Sequence, residues 1–143
     1  MVFMKKEIAN NKGVVTTDVI IAIIILGLFT TLVATLAYNI FLQSSLAERT
    51  SQAREYAIKI FEYVDEEDFA VLNQNQIITF VSNLGDNKVS ATSSNITSLT
   101  TPYKILITVA DNGNTKKVTI EIRYNVGSKT RTITMQRIKP LAN

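Results

Sequence analysis

Between Val14 and Val64 the chain has no proline and one glycine, Gly27, and its hydrophobic pattern changes character midway. Val19–Ala47 is free of charge and broken only by uncharged Thr, Gln, Ser and Asn. A bilayer core takes about 20 apolar residues of helix, and Val19–Leu42 fills that length alone. β-branched residues are dense over Val19–Ile25, but lipid enforces a helix because every backbone group must be satisfied within the segment. Beyond Gln43 the pattern becomes one-sided. Leu46, Ala53, Tyr56, Ala57, Ile60, Phe61 and Val64 recur at helical spacing, which predicts an amphipathic continuation of the same helix.

An acidic run, Asp65-Glu66-Glu67-Asp68, closes that helix, and Phe69–Leu84 predicts a short second one. Gly85–Thr101 reads as an exposed polar connector, since eight of its 17 residues are Ser or Thr and Pro102 follows. The period then drops to two. Tyr103–Val109, Lys116–Tyr124 and Lys129–Ile138 read as three strands. A two-residue turn centred on Asn112-Gly113 pairs Ile107 with Val118 and Ile105 with Ile120. A second turn at Val126-Gly127, of type II with Gly127 carrying it, sets Ile120 opposite Ile133. Both turns put the apolar side chains on one face, with Leu106 excepted, so the strands form an antiparallel meander with one wet face. A three-stranded sheet of this kind needs a cover, and the amphipathic half-helix supplies it. The expected fold class is α+β, a long N-terminal helix whose outer half packs on a C-terminal three-stranded meander.

Composition narrows the chemistry. The 143 residues contain no cysteine and no histidine, which removes disulfides, thiolate metal sites and the commonest general base. No enzyme activity, cofactor or metal is expected. The successive acids of Asp65–Asp68 point different ways on a helix, so they read as a solvated helix end rather than a calcium site. Asp111-Asn112-Gly113-Asn114 reads as a turn. The net charge of +3 falls to +1 without Met1–Gly13, which holds Lys5, Lys6 and Lys12 against Glu7; direct nucleic-acid binding is therefore not expected. Charge is also split along the chain. Glu48–Asp68 carries seven acids and three bases, whereas Tyr103–Lys139 carries eight bases and two acids. This allows attraction between helix and sheet within one chain, or lateral attraction between neighbouring subunits.

The most informative feature stands at the head of the apolar run. A basic leader ends in Lys12-Gly13, four uncharged residues follow, and then comes a lone acid, Asp18. An isolated carboxylate in hydrocarbon costs about 2.5 kcal/mol or more, so it wants a positive partner. Cutting the chain after Gly13 would create one, the α-amino group of Val14. The run is too long for the apolar core of an ordinary secretory signal, although Thr35-Leu36-Ala37 offers small residues of the kind a signal peptidase takes. The positive-inside rule does not decide topology, because Lys5, Lys6 and Lys12 precede the span while Arg49, Arg54 and Lys59 follow it.

On these residues the chain resembles the type IV pilin and pseudopilin superfamily, over roughly Lys5–Leu46 in sequence and beyond that in layout. The resemblance implies a leader, 1–13, removed after Gly13 by a prepilin peptidase; a helix, 14–47, that anchors the monomer and then lines a filament core; and an extracytoplasmic pilin-like domain, 48–143. It implies N-methylation of Val14, an assembly salt bridge from Asp18 at the fifth mature position, and Gly27 as a weak point or packing site in the helix. Partners would be other pilin or pseudopilin subunits, the prepilin peptidase, the assembly platform, and membrane lipid before assembly. The chain would be a single-pass cytoplasmic-membrane protein with its C-terminus outside, then part of a surface filament of a type IV pilus, a type II secretion pseudopilus or a competence system. It departs from the family pattern in having Val14 after the cut, Asp18 where glutamate is usual, no proline in the anchor and no disulfide. The alternative reading is an uncleaved single-pass membrane protein displaying a small binding domain.

Overall fold

The computed structural model describes residues 4–96 and 98–141, with side chains from residue 16 onward. Helix α1 runs Met4–Glu66, α2 Gln74–Asn83, and four strands follow: β1 Val89–Thr92, β2 Tyr103–Asp111, β3 Thr115–Val126 and β4 Lys129–Pro140. The fold is α+β. The chain divides into two units, Met1–Gln43 and Ser44–Asn143. The described residues of the first are helix alone.

In the second unit the amphipathic stripe does what its spacing requires. Ala53, Ala57, Ile60 and Val64 are fully buried and Tyr56 nearly so, in one core with Tyr103, Ile105 and Ile107 of β2 and Val118, Ile120, Ile122 and Tyr124 of β3. Small residues at 53 and 57 let the helix approach the sheet closely, while Tyr56 and Tyr103 fill the end of the core with rings 5.3 Å apart. Leu46 and Phe61 remain half-buried at the margins. Leu72, Ile77 and Val81 close the far side. Helix α2 begins where Asn73 caps it, its Oδ1 accepting from Gln76 N–H at 3.0 Å.

The sheet has four strands in the order β1-β2-β3-β4, not three. β1 pairs parallel to β2, Val89 with Tyr103 and Ala91 with Ile105, so the sheet is mixed. The four residues of β1 lie inside the segment expected to be a polar connector. Only Val89 and Ala91 of β1 join the core or its margin, too little alternation to stand out against the surrounding Ser and Thr. Ile96 and Ser98 of that segment lie over the outer face of the sheet, where Arg123 Nη1 donates to Ile96 O at 3.0 Å and Lys104 Nζ to Ser98 O at 3.2 Å. Part of the face expected to be wet is therefore covered.

Both hairpin registers differ from expectation by two residues. Ile107 pairs with Ile120 and Ile105 with Ile122, and Ile120 faces Met135 rather than Ile133. One cause accounts for both. The turns centre one residue later, on Gly113-Asn114 and Gly127-Ser128, with Asn112 N–H bonded to Thr115 O at 2.9 Å. Positive φ then falls on the first central residue alone, 81° at Gly113 and 59° at Gly127, and among the described residues none other than glycine takes it. A type I′ turn on Asn112-Gly113 would have forced Asn112 to positive φ as well, and at the second turn Gly127 occupies the first central position rather than the second. Moving a turn by one residue slides the pairing by two, which leaves every side chain on its original face. The apolar face is consequently as expected.

Candidate functional site on the exposed helix

Between Val19 and Phe41, fifteen large apolar side chains of α1 are 46% to 68% exposed. Four of them are consecutive, Ile23 to Leu26, and at 100° per residue they ring the helix. No face of this segment is polar. The window is long and apolar enough to cross a membrane, with mean hydropathy 2.8 and none of it buried within the chain. Each such side chain stands to gain on the order of 1 kcal/mol from cover, so the segment is energetically incomplete in water.

Three of its threonines make no demand on surroundings. Thr30 Oγ1 donates to Leu26 O at 2.7 Å, Thr31 Oγ1 to Leu28 O at 2.8 Å, and Thr35 Oγ1 to Thr31 O at 2.8 Å. Threonine in a helix interior commonly returns its hydroxyl to the preceding turn in this way. Gly27 meets nothing: a Cβ there would find no atom within 4 Å. The fold of a single chain therefore gives no reason for glycine at this position.

Asp18 is exposed at the head of the run. Gly13 and Val14 lie where only the helical backbone of α1 is described, so the side chain of Val14 is outside the described residues. Val14 and Asp18 are four residues apart on that helix, hence one turn apart on the same side. Among the described residues no ion pair involves Asp18.

The charged groups of the second unit are largely consumed internally. Lys116, buried on the inner face of β3, donates to Phe69 O at 2.6 Å and Leu72 O at 2.8 Å, with the Phe69 ring 4.8 Å away. Lys139 donates to Val64 O at 2.6 Å, to Asp65 O at 3.0 Å and to Glu67 O. Lys139 thus satisfies carbonyls that the end of α1 leaves orphaned, and Lys116 those of the connection to α2. Arg137 bonds Asp65 through two atoms. The acidic helix end is thus gripped by the basic end of the sheet within one chain. Sequence reasoning missed Lys116 and Lys139, although a lysine at an inward position of an alternating strand is a readable sign of an internal partner.

Two concavities also escaped notice. An open cleft lies beside Tyr63 and Phe80, whose rings stack at 4.3 Å and 8°, and is rimmed by the amides of Asn73, Gln74, Asn75 and Asn83. A cavity of about 330 Å³ is lined by Ser45, Glu48, Arg49, Lys88, Tyr103 and Gly127, among others. Arg49 lies over the Tyr103 ring with its guanidinium carbon 5.8 Å from the centroid. Tyr103 Oη donates to Gln52 Oε1 at 2.5 Å, and Gln52 Nε2 to Glu48 Oε1 at 3.3 Å. Burial raises the Tyr103 phenol above its ordinary range, opposed by the charge and hydrogen bond of Arg49.

Compared with known proteins, the chain matches no family model, no curated protein and no solved structure.

Proposed function

We propose that this chain is a pilin-like structural subunit. It enters the cytoplasmic membrane through the apolar half of α1 with its C-terminal unit outside, is cut after Gly13 and methylated at Val14, and is then drawn into a helical filament. The observation that carries the reading is the helix exposed and apolar on every side, headed by the single acid Asp18. Such a surface suits lipid first and a core of packed helices afterwards, because neither environment asks it for a polar face. In the filament, Asp18 of one subunit neutralises the Val14 amine of a neighbour. Losing one partner of such a buried pair typically costs about 3–5 kcal/mol.

Processing supplies the test. Protein extracted from membranes should begin at Val14 with one N-methyl group by intact mass, and Gly13→Leu should abolish the cut. A mature chain that retains Met1, or that begins near Tyr38, contradicts the reading. The rival is an uncleaved single-pass protein displaying a binding domain, favoured by the cleft beside Tyr63 and Phe80; the same mass distinguishes the two.

A further inference from the structure

The cavity that begins at Ser45 has a position in the chain that bears on its ligand. Its first lining residues, Ser45, Glu48 and Arg49, directly follow or straddle the end of the charge-free run at Ala47. When that run lies in hydrocarbon, these residues stand at the level of lipid headgroups. We propose that this cavity binds the phosphodiester of a membrane phospholipid. The proposal rests on the membrane-anchoring part of the preceding reading, and on neither the cut nor the assembly.

The chemistry of the lining fits a singly charged anion. Arg49 is half-buried, and Lys88 stands exposed at the rim. The guanidinium presents a planar fork of donors suited to phosphate oxygens, and the ammonium adds a point charge. Against these two cations the lining sets one acid, Glu48, leaving a net charge of +1 for a phosphodiester to answer. The site is built rather than incidental. Glu48 is held by Gln52, Gln52 by the Tyr103 hydroxyl, and Arg49 rests on the Tyr103 ring. Tyr103 is itself fully buried in the core, so the floor of the cavity is rigid. The backbone of Gly127, in the β3–β4 turn, forms part of the wall without a side chain to block it.

Native mass spectrometry of the full chain in an uncharged detergent tests this. Purified protein is given either dioleoyl phosphatidylethanolamine or dioleoylglycerol, which has the same tails and no phosphate. One phospholipid per chain should be retained, and dioleoylglycerol should not. Arg49→Gln with Lys88→Gln should lower occupancy about tenfold, the scale expected for losing charge-assisted hydrogen bonds. Lys88→Gln alone changes an exposed residue, so it should keep the wild-type melt and still lower occupancy measurably. Millimolar inorganic phosphate should fail to displace the lipid. Equal retention of the two lipids, undiminished occupancy in a folded Lys88→Gln protein, or displacement by inorganic phosphate would each overturn the proposal. A protein that never enters the membrane would remove the reading beneath it, whereas one left uncut or unassembled would leave this test unaffected.

Discussion

Arg137 and Asp65 meet through two parallel hydrogen bonds, Nε to Oδ1 at 3.1 Å and Nη2 to Oδ2 at 2.5 Å, joining the far end of β4 to the last turn of α1. Seventy-two positions separate them in sequence, so the pair closes the fold on itself. Both side chains remain about half exposed, and exposed pairs contribute little and are screened by salt. Asp65→Asn should lower the melting temperature slightly at low ionic strength and not at all in 1 M salt. A loss that persists in high salt would show a role beyond the charge pair.

Lys116 differs because it is buried and donates to two backbone carbonyls, with the Asp111 carboxylate farther off at 3.8 Å. Lys116→Met keeps the stem and removes the donors, leaving Phe69 O and Leu72 O without this ammonium. Hydrogen bonds from charged groups are worth about 1.5–3 kcal/mol each, so losing the two should cost the variant about 3–6 kcal/mol by denaturant melt. A loss below about 1 kcal/mol would mean that water replaces the ammonium freely.

Tyr56 donates its hydroxyl proton to Asp86, tying the helix to the loop before β1. The bond, with Lys88 N–H, holds the Asp86 carboxyl below its ordinary value; burial and Asp86 push the Tyr56 phenol up. The two signs define a window. Asp86 contributes above its unfolded value near pH 4, and that contribution is lost as pH falls through the lower folded value. Tyr56 contributes below about pH 10, and its share is lost as pH rises beyond that. Tyr56→Phe should therefore be less stable than wild type at neutral pH, with the gap narrowing as pH falls below about 4. A gap of constant size in thermal melts across that range would refute the linkage.

Glycine separates turn from helix. At Gly113 the φ of 81° disfavours any side chain although space is open, so Gly113→Ala should cost about 1–2 kcal/mol. Gly27 lies in a helix with nothing near it, and Gly27→Ala should leave membrane insertion and the melt of the monomer unchanged. Reduced filament yield in Gly27→Ala would reveal a neighbouring helix seated on that glycine.

What could be read from the sequence follows from how redundantly each feature is encoded there. The faces of Ile105, Ile107, Ile120 and Ile122 were legible because alternation repeats along two strands. Register was not, since a slip of two residues preserves every face, and only backbone strain at Asn112 and the position of Gly127 could set it. β1 was hidden because its four residues offer one short parallel pairing to a strand fourteen positions away. Asp18 was legible from charge alone. The cavity was not, because Arg49, Lys88 and Gly127 come from three separate segments that only the fold assembles.

Asp18 carries the functional account. Asp18→Asn keeps size and polarity but leaves the neighbouring Val14 ammonium unmatched in an apolar core, whereas Asp18→Glu keeps the charge and lengthens its reach. The deciding measurement is the fraction of each variant recovered in sheared surface filaments against that remaining in the membrane, with cleavage after Gly13 verified by mass in each. The account predicts normal cleavage in all three proteins, wild-type incorporation for Asp18→Glu, and incorporation of Asp18→Asn reduced at least about tenfold, the least that a loss of more than 1.4 kcal/mol implies. Equal incorporation of the Asn and Asp forms, or no filament containing the wild-type chain, would contradict it.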